Sequence, residues 1–426
     1  MLDPKFIRED PDAVRRSLEI RGDDVSLVDE FLSLDEARRN KIQEVEELKS
    51  EKNRASKSIG ELIKKGENAE AAKEEVKKLN EKINELDREL KEIEAGFGGL
   101  LDTIPNIPHE SVPVGKDETD NRLEKEEGSI PSFSFKPRDH IELGQITRTL
   151  DLERGAKIAG SGFPLFTGAG AKLERALINF MLDVHIREHG YTEVFPPIIV
   201  NRNAMRGTGQ LPKFEEDLYK IKDEEFFLIP TAEVPVTNIH MDEVLKEEDL
   251  PLYYTAYTAC FRKEAGSYGK DTRGIIRVHQ FDKVEMVKFT TPESSMEELE
   301  KLLGDAEDIL QRLEVPYRVL TLCSGDISFA AHKCYDIEVW APGLDKWLEV
   351  SSCSVFSDFQ ARRANIKYQP KDRNEKARFV HTLNGSGVAL PRLVIAVMEN
   401  HQNEDGSIKV PEALRPYFGS DTIGTE

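Results

Sequence analysis

Two consecutive heptad patterns dominate the first quarter of the chain and predict a pair of antiparallel helices. In the second pattern, apolar side chains alternate spacings of three and four residues, as a coiled-coil seam requires: Val76, Leu79, Ile83, Leu86, Leu90, Ile93, Phe97 and Leu100. The first pattern is weaker, because Arg38, Lys41 and Lys52 fall on its seam. Between them, Gly66 is expected to end one helix and Asn68 to cap the next. The whole segment, about residues 27–102, predicts a helical hairpin roughly 50 Å long.

After the hairpin the pattern changes to that of a mixed α/β body. The sequence GFGG at 96–99 predicts the end of the hairpin, and a proline-rich, aperiodic stretch follows, so we place a domain boundary near 105–110. Residues 164–190 carry a helical apolar face and lead into a strand with a proline pair. Residues 253–288 read as strand, glycine-rich loop (264–274) and returning strand.

Composition narrows the class of protein. Lys and Arg number 59 against 80 Asp and Glu, which gives a net charge of −21 and argues weakly against nucleic-acid binding. The four cysteines have no CxxC spacing, so neither a disulfide framework nor a zinc ribbon is indicated. We find no signal peptide and no apolar run of membrane-spanning length, and therefore expect a soluble cytoplasmic protein without a membrane partner.

The charge objection is answered in part by the outer half of the hairpin. Residues 49–65 contain only two glutamates but six basic residues, which are Lys49, Lys52, Arg54, Lys57, Lys64 and Lys65. A basic surface on an acidic chain suits a phosphate backbone. The alternative is that the hairpin is a dimerisation coiled coil or a spacer, which a heptad pattern alone does not exclude.

Candidate chemistry is concentrated in the body. Arg277, Phe281 and Glu285 are four residues apart, so on one strand they would share a face that suits a nucleotide and a polar substrate. Farther along, Glu349 and Ser352 offer oxygen donors of the kind that Mg²⁺ takes together with ATP phosphates. His185 and His189 could share a metal, although no third ligand lies nearby in the sequence.

These stretches occur in the order and spacing of the three motifs of a class II aminoacyl-tRNA synthetase. Residues 164–200 resemble motif 1, and Arg262 and Glu264 stand in the FRxE signature of motif 2. GSGVALPR ending at Arg392, which we expect to lead from a loop into a helix, resembles motif 3. With TGQLPKF and PTAE upstream, the set resembles a seryl-tRNA synthetase of the common bacterial type. The resemblance implies an α+β fold: an antiparallel sheet flanked by helices, preceded by the helical-hairpin coiled coil.

The resemblance also implies roles for individual residues. Arg262, Glu349 and Arg392 would be catalytic. ATP would be bound by Arg262, Lys263, Glu264, Arg277, Val278, Phe281, Glu349, Val350, Ser351, Ser352 and Arg392. Serine would be bound by Thr231, Ala232, Glu233, Arg262, Glu285, Asn384 and Ser386. Mg²⁺ would be held by Glu349 and Ser352, and no zinc is expected.

The implied reaction is the activation of serine by ATP and its transfer to the 3′ end of tRNA(Ser), and to tRNA(Sec) where a cell has one. Residues 1–108 would form a tRNA-binding domain that reads the long variable arm, and 109–426 the catalytic domain of a homodimer. We expect Glu285 to be the main partner of the serine hydroxyl. Two alternatives stay open: a class II paralogue that loads an amino acid onto a carrier protein, and an inactive paralogue kept as a scaffold.

Overall fold

A computed structural model describes residues 1–264, 273–372 and 374–424 of the chain. Contacts among these residues divide the chain into two compact units. One unit comprises Leu2–Pro105, and the other begins at Asn106 and also includes Met1.

The N-terminal unit is entirely helical in its regular structure. Its helices are α1 (Pro4–Glu9), α2 (Pro11–Arg21), α3 (Ser26–Lys65) and α4 (Glu70–Thr103). Ion pairs join the two long helices in opposite directions, as positions ascending along α3 meet positions descending along α4: Arg38–Glu94 at 3.1 Å, Lys41–Glu89 at 2.8 Å and Lys49–Asp87 at 2.9 Å. The predicted antiparallel hairpin is confirmed.

The ends of the hairpin helices agree only in part with the prediction. Gly66 ends α3 in the left-handed conformation (φ 74°) as expected. The N-cap of α4 is Ala69 and not Asn68, although the Asn68 side chain accepts a hydrogen bond from the Glu70 amide at 2.9 Å. The glycines at 96–99, however, do not end α4, which continues to Thr103. The helix persists because its apolar face is still anchored there: Phe97 packs on Phe31 with ring centroids 5.3 Å apart, and Leu101 is buried.

The second unit alternates helices and strands. Its helices are α5 (His140–Ile146), α6 (Leu152–Ala159), α7 (Ala169–Arg187), α8 (Arg202–Gly207), α9 (Glu233–Thr237), α10 (Ser295–Arg312), α11 (Phe359–Ala364), α12 (Leu390–Asn400) and α13 (Arg415–Phe418). Its strands are β1 (Arg122–Glu127), β2 (Thr192–Glu193), β3 (Ile199–Asn201), β4 (Phe226–Leu228), β5 (Val244–Lys246), β6 (Leu252–Phe261), β7 (Gln280–Thr290), β8 (Tyr317–Thr321), β9 (Lys333–Ala341), β10 (Lys346–Val355), β11 (Lys367–Gln369), β12 (Arg378–Phe379), β13 (His381–Ala389), β14 (Ile408–Lys409) and β15 (Thr422–Ile423).

The centre of this unit is an eight-stranded sheet in the order β1-β8-β9-β10-β13-β7-β6-β2. All neighbouring strands are antiparallel except β2 and β6. Helices α7, α10 and α12 contribute their apolar faces to the core that covers the sheet. The predicted α+β fold, an antiparallel sheet flanked by helices, is therefore confirmed.

Three local predictions need correction. The returning strand β7 begins only at Gln280, so Arg277 precedes it, because a turn at Gly274 (φ 73°) and the burial of Ile275 hold that segment in irregular structure. The strand after α7 is interrupted at its prolines, which cannot donate ladder hydrogen bonds, and becomes β2 and β3. The glycine-rich segment before Arg392 forms strand β13 and not a loop.

No helix formed by the described residues is long and apolar enough to cross a membrane.

Candidate active site

A cavity of about 250 Å³ opens on the face of the central sheet. Strands β7, β10 and β13, the end of β6 and the start of α12 contribute to its wall. The lining residues are Thr208, Gly209, Gln210, Phe214, Thr231, Glu233, Arg262, Glu264, Ile276, Arg277, Val278, Phe281, Lys283, Ser328, Phe329, Ala330, Glu349, Val350, Ser352, Ser354, Phe356, Asn384, Ser386, Ala389, Pro391 and Arg392. Most residues singled out from the sequence of the body are therefore brought together.

Cationic and aromatic groups converge at one end of the cavity. The Arg262 guanidinium lies 5.3 Å from the centroid of the Phe281 ring, and its Nε donates to the Pro230 carbonyl at 3.3 Å. Arg392, in the first turn of α12, donates through Nη1 to the Glu349 carbonyl at 2.7 Å. Two guanidiniums beside a half-buried aromatic ring can bind phosphates and a purine ring.

The Glu264 and Arg277 side chains form an ion pair beside this cluster. Arg277 Nη1 lies 3.0 Å from Glu264 Oε2, and both residues line the cavity. Glu264 has a positive φ of 51°, a conformation that costs a residue with a β-carbon about 1 kcal/mol or more and is tolerated where the surroundings hold it. Arg277 thus reaches the cavity from the irregular backbone before β7, and not from the strand position that the sequence predicted.

A β-bulge on β10 explains why Glu349 and Ser352 both face the cavity. On a regular strand, positions three apart point to opposite faces. Here Glu349 pairs with Glu338 while Ser351 pairs with Ile337, so Val350 is an extra residue and the alternation shifts. As a result Ser351 does not line the cavity. Its hydroxyl instead donates to the Ser386 carbonyl at 2.6 Å.

The two oxygen donors fit the predicted magnesium ion. Carboxylate and hydroxyl oxygens are ligands that Mg²⁺ accepts, and Mg²⁺ usually takes one or two protein groups together with nucleotide phosphates. The Glu349 side chain is 47% exposed, so it can change partners. Among the residues that the structure describes, no group of three or more His, Cys, Asp or Glu side chains could hold a metal alone. The donor set therefore suits a metal that arrives with ATP.

Acidic groups and one lysine form the other end of the cavity. Glu285 on β7 has no exposed surface, and three donors surround its carboxylate: Thr231 Oγ1 at 2.9 Å, Asn384 Nδ2 at 2.7 Å and Lys283 Nζ at 2.5 Å. Lys283 Nζ also donates to Thr231 Oγ1 at 2.7 Å. Glu285 thus lies one layer behind the wall that its three partners form.

Glu233 is a second acidic group at this end. Burial, and then repulsion from Glu285, raises its pKa to about 7, while a hydrogen bond from the Gln360 amide at 2.6 Å opposes the shift. An acid with a pKa near neutrality changes charge in the working range of an enzyme. This end of the cavity can therefore accept an ammonium group and hydroxyl donors.

Four other predicted residues lie beside the cavity without lining it. Lys263 points toward Tyr219, its Nζ 5.9 Å from the ring centroid, and its amide donates to the Asp217 carbonyl at 3.0 Å. Ala232 is fully buried just before α9. Lys263, Ala232 and Ser351 can act only through backbone or a neighbour in this arrangement, whereas Glu285 keeps one acceptor position beside its three donors. Most of the predicted loop between β6 and β7, residues 265–272, lies outside the described residues.

Lys283 is the main site residue that the sequence analysis missed. A usable signal existed, because Lys283 is two positions before Glu285 and therefore shares its strand face. The predicted tRNA-binding residues lie in the other unit. Arg54, Lys57, Lys64 and Lys65 are exposed there, Lys52 is half-buried, and Lys49 pairs with Asp87.

Family comparisons agree with the fold. Residues 214–401 match the family described as tRNA synthetase class II core domain (G, H, P, S and T). Residues 1–108 match the family described as Seryl-tRNA synthetase N-terminal domain. The fold and this core define a class II aminoacyl-tRNA synthetase.

Individual relatives specify the family. The chain is 56% identical to the serine–tRNA ligase of Chloroherpeton thalassium, with 100% of both chains covered, and 55% identical to that of Desulfosudis oleivorans, with 98% of both covered. Among solved structures, seryl-tRNA synthetase from Pyrococcus horikoshii complexed with ATP matches with a TM-score of 0.93 at 41% identity, covering 100% of both chains. The cytoplasmic serine–tRNA ligase from Naegleria fowleri in complex with AMP matches with a TM-score of 0.88 at 31% sequence identity, covering 100% of this chain and 99% of the other.

The chain belongs to the seryl-tRNA synthetase family. The prediction of an ATP-dependent serine–tRNA ligase is thereby confirmed. The two alternatives from the sequence analysis are disfavoured, because the similarity to serine–tRNA ligases spans the whole chain, hairpin included.

Proposed function

We propose that the cavity is the site of serine activation, in which the serine carboxylate attacks the α-phosphorus of ATP and pyrophosphate leaves. The observation that carries the proposal is the division of one cavity into a cationic, aromatic end and an acidic, hydroxyl-lined end. The reaction needs both in one place, because catalysis of phosphoryl transfer is mainly positioning and charge stabilisation.

At the cationic end, Arg262 and Arg392 bind the ATP phosphates and Arg277 assists. Phe281 stacks beneath the adenine, and Glu264 contacts its edge. Lys263, Val278, Val350 and Ser351 complete the ATP site through backbone and packing. Arg262, Glu349 and Arg392 are the catalytic group, since they adjoin the α-phosphoryl oxygens on which charge develops. Glu349 and Ser352 would hold Mg²⁺, which would supply further charge neutralisation at the phosphates.

At the acidic end, serine is bound by Thr231, Ala232, Glu233, Arg262, Glu285, Asn384 and Ser386. Glu233 faces the ammonium group, and Glu285 is the partner of the hydroxyl. A carboxylate has about four acceptor positions, and Thr231, Lys283 and Asn384 occupy three on Glu285, so the serine hydroxyl can add a fourth donor. Alanine would leave that carboxylate short of a donor, which costs more than the loss of a methylene contact.

The second step transfers the seryl group to the terminal ribose of tRNA(Ser), and of tRNA(Sec) where a cell has one. Residues 1–108 form the tRNA-binding domain and residues 109–426 the catalytic domain. The basic face of the hairpin, residues Lys49, Lys52, Arg54, Lys57, Lys64 and Lys65, contacts the long variable arm. Exposure of four of these side chains supports this assignment, because phosphate contacts need accessible cations.

The working form is a cytoplasmic homodimer. Support comes from an apolar surface after α7 that is unusual for a monomer: Phe195 is 86% exposed and Ile199 45%, with Ile198, Phe226 and Ile239 alongside. Exposed patches of this kind mark interaction sites. A second copy of the chain would cover this surface.

The role of the hairpin is tested by comparing two reactions. Deleting residues 30–100 should abolish tRNA charging and leave serine-dependent ATP–pyrophosphate exchange intact, because the cavity lies wholly in the other unit. A finer test compares two double variants of equal charge change: Lys64→Ala with Lys65→Ala, and Arg88→Ala with Lys91→Ala. Only the first should weaken tRNA charging and its salt dependence. Retained charging after the deletion would refute the assignment.

A further inference from the structure

Ser386, at the acidic end of the cavity, is followed by an extra residue in strand β13. Ser386 pairs with Glu285 and Val388 with Val284, so Gly387 forms a β-bulge. The backbone carbonyls of Ser386 and Gly387 each contact a side chain. The Ser351 hydroxyl donates to the Ser386 carbonyl at 2.6 Å, and His185 Nε2 lies 3.2 Å from the Gly387 carbonyl oxygen. A β-carbon on Gly387 would lie 2.5 Å from His185 Nε2, so the close approach requires glycine.

His185 belongs to a chain of hydrogen bonds that leads from the bulge to helix α10. Its Nδ1 lies 3.0 Å from His189 Nδ1, four residues later and just past the end of α7, and His189 Nε2 lies 3.0 Å from Asp308 Oδ2. His185 has no exposed surface, and the His189 side chain is 12% exposed. These hydrogen bonds thus connect strand β13 to helix α10 through two imidazole rings.

The end groups, together with a neutral His185, fix the protons in between. A carbonyl can only accept, so His185 must donate through Nε2, and as a neutral ring it then accepts at Nδ1. His189 must therefore donate through Nδ1. Asp308 accepts at the other nitrogen, so His189 carries protons on both nitrogens and is a cation. Burial lowers the pKa of His185 to about 4, which agrees with its neutral form.

The surroundings of His189 suit a cation. Asp305 Oδ1 lies 3.8 Å from its Nδ1, in addition to Asp308. Both carboxylates have further partners. On α10, Arg312 pairs with Asp308 and also with Glu188; from the sheet side, Lys288 and the Tyr191 hydroxyl approach Asp305. Every ring nitrogen of the two histidines is engaged, so neither has a lone pair for the metal that their spacing suggested.

We infer that His185, oriented by a cationic His189, is a positioning residue that fixes the bulge at Gly387 and with it the place of Ser386 in the serine site. The inference deepens the proposed function and rests on the contact of Ser386 with serine. It links serine affinity to a hydrogen-bond chain outside the cavity. We expect little change in ATP affinity, because Arg262, Arg277 and Phe281 lie outside strand β13 and only Ser351 joins the ATP site to the bulge.

Two substitutions of His185 separate the positioning role from simple packing. In His185→Gln, the amide nitrogen reaches the place of Nε2 and can still donate to Gly387. In His185→Asn, the amide reaches only the place of Nδ1, so the Gly387 carbonyl loses its donor. We expect His185→Asn to raise the serine KM about tenfold, as the loss of one buried hydrogen bond implies, and His185→Gln to change it less than about twofold. The ATP KM should stay constant in both.

The outcomes are distinguishable. Equal serine KM values for the two variants, or a parallel change in the ATP KM, would overturn the inference. Ser386→Ala measures the underlying contact separately: if it leaves the serine KM unchanged, the proposed serine site is wrong at Ser386. The charge state is tested on the unmodified enzyme by ¹⁵N spectra of labelled histidine. A doubly protonated His189 and a neutral His185 are expected, and a neutral His189 would contradict the proton assignment.

Discussion

Glu233 should make serine binding depend on pH near neutrality. Its carboxyl is buried at the acidic end of the cavity, and burial followed by repulsion from Glu285 raises its pKa to about 7. The ammonium group of serine prefers the ionised carboxylate. The enzyme should therefore bind serine more tightly as the pH rises and Glu233 loses its proton.

The size of the effect follows from the pKa. With a pKa of about 7, roughly one tenth of Glu233 is ionised at pH 6 and about nine tenths at pH 8. An affinity that requires the ionised form is reduced by the fraction present, so the apparent serine KM should be about tenfold higher at pH 6 than at pH 8.

The assay is serine-dependent ATP–pyrophosphate exchange from pH 6 to 8, with the serine KM and the ATP KM measured at each pH. Glu233→Gln is the matched control, because glutamine keeps an acceptor for the Gln360 amide but does not titrate. Its serine KM should be higher than that of the unmodified enzyme at pH 8 and flat with pH. A flat profile for the unmodified enzyme, or the same slope in Glu233→Gln, would refute the reasoning.

The raised pKa of Glu233 also predicts that the stability of the ligand-free protein depends on pH. The folded chain holds the Glu233 proton more tightly than the unfolded chain, whose value is about 4.5. The stabilisation is therefore complete below pH 4.5 and is lost as the pH rises to about 7. Over this window Glu233 should reduce the free energy of unfolding by about 3 kcal/mol, and Glu233→Gln should lack that decrease in denaturant unfolding.

Three further substitutions test separate parts of the site. Glu285→Ala should raise the serine KM strongly and leave the ATP KM unchanged in the exchange assay; an unchanged serine KM would exclude Glu285 as hydroxyl partner. Phe281→Ala should raise the ATP KM about tenfold, as expected for the loss of a base stack, whereas Phe281→Tyr should not. Phe195→Asp should convert the proposed homodimer to a monomer in sedimentation, and a persistent dimer would show that this apolar surface is not the interface.

Local patterns predicted the architecture well where one physical cause dominated. The heptad spacing of the hairpin and the left-handed conformation at Gly66 both depend on near neighbours in the sequence, and both were confirmed. The end of α4 was missed because tertiary packing of Phe97 on Phe31 outweighs the low helix propensity of three glycines.

The site was predicted by residue type, but its geometry was not. Glu349 and Ser352 share a face only because of the bulge at Val350, and no sequence signal marks that extra residue. Arg277 reaches the cavity from irregular backbone and not from the strand register. Lys283 was overlooked because a lysine on a strand is ordinarily exposed, whereas here Glu285 and Thr231 satisfy its ammonium group in the interior.

The central claim is that one cavity joins serine to ATP and that the chain then charges tRNA. The most direct measurement is ATP–pyrophosphate exchange with each standard amino acid in turn, followed by charging of unfractionated tRNA with the amino acid that supports exchange. The account predicts exchange with serine and charging of tRNA by serine. Exchange without charging would point to loading of another carrier, and no exchange with serine would contradict the assignment of the cavity.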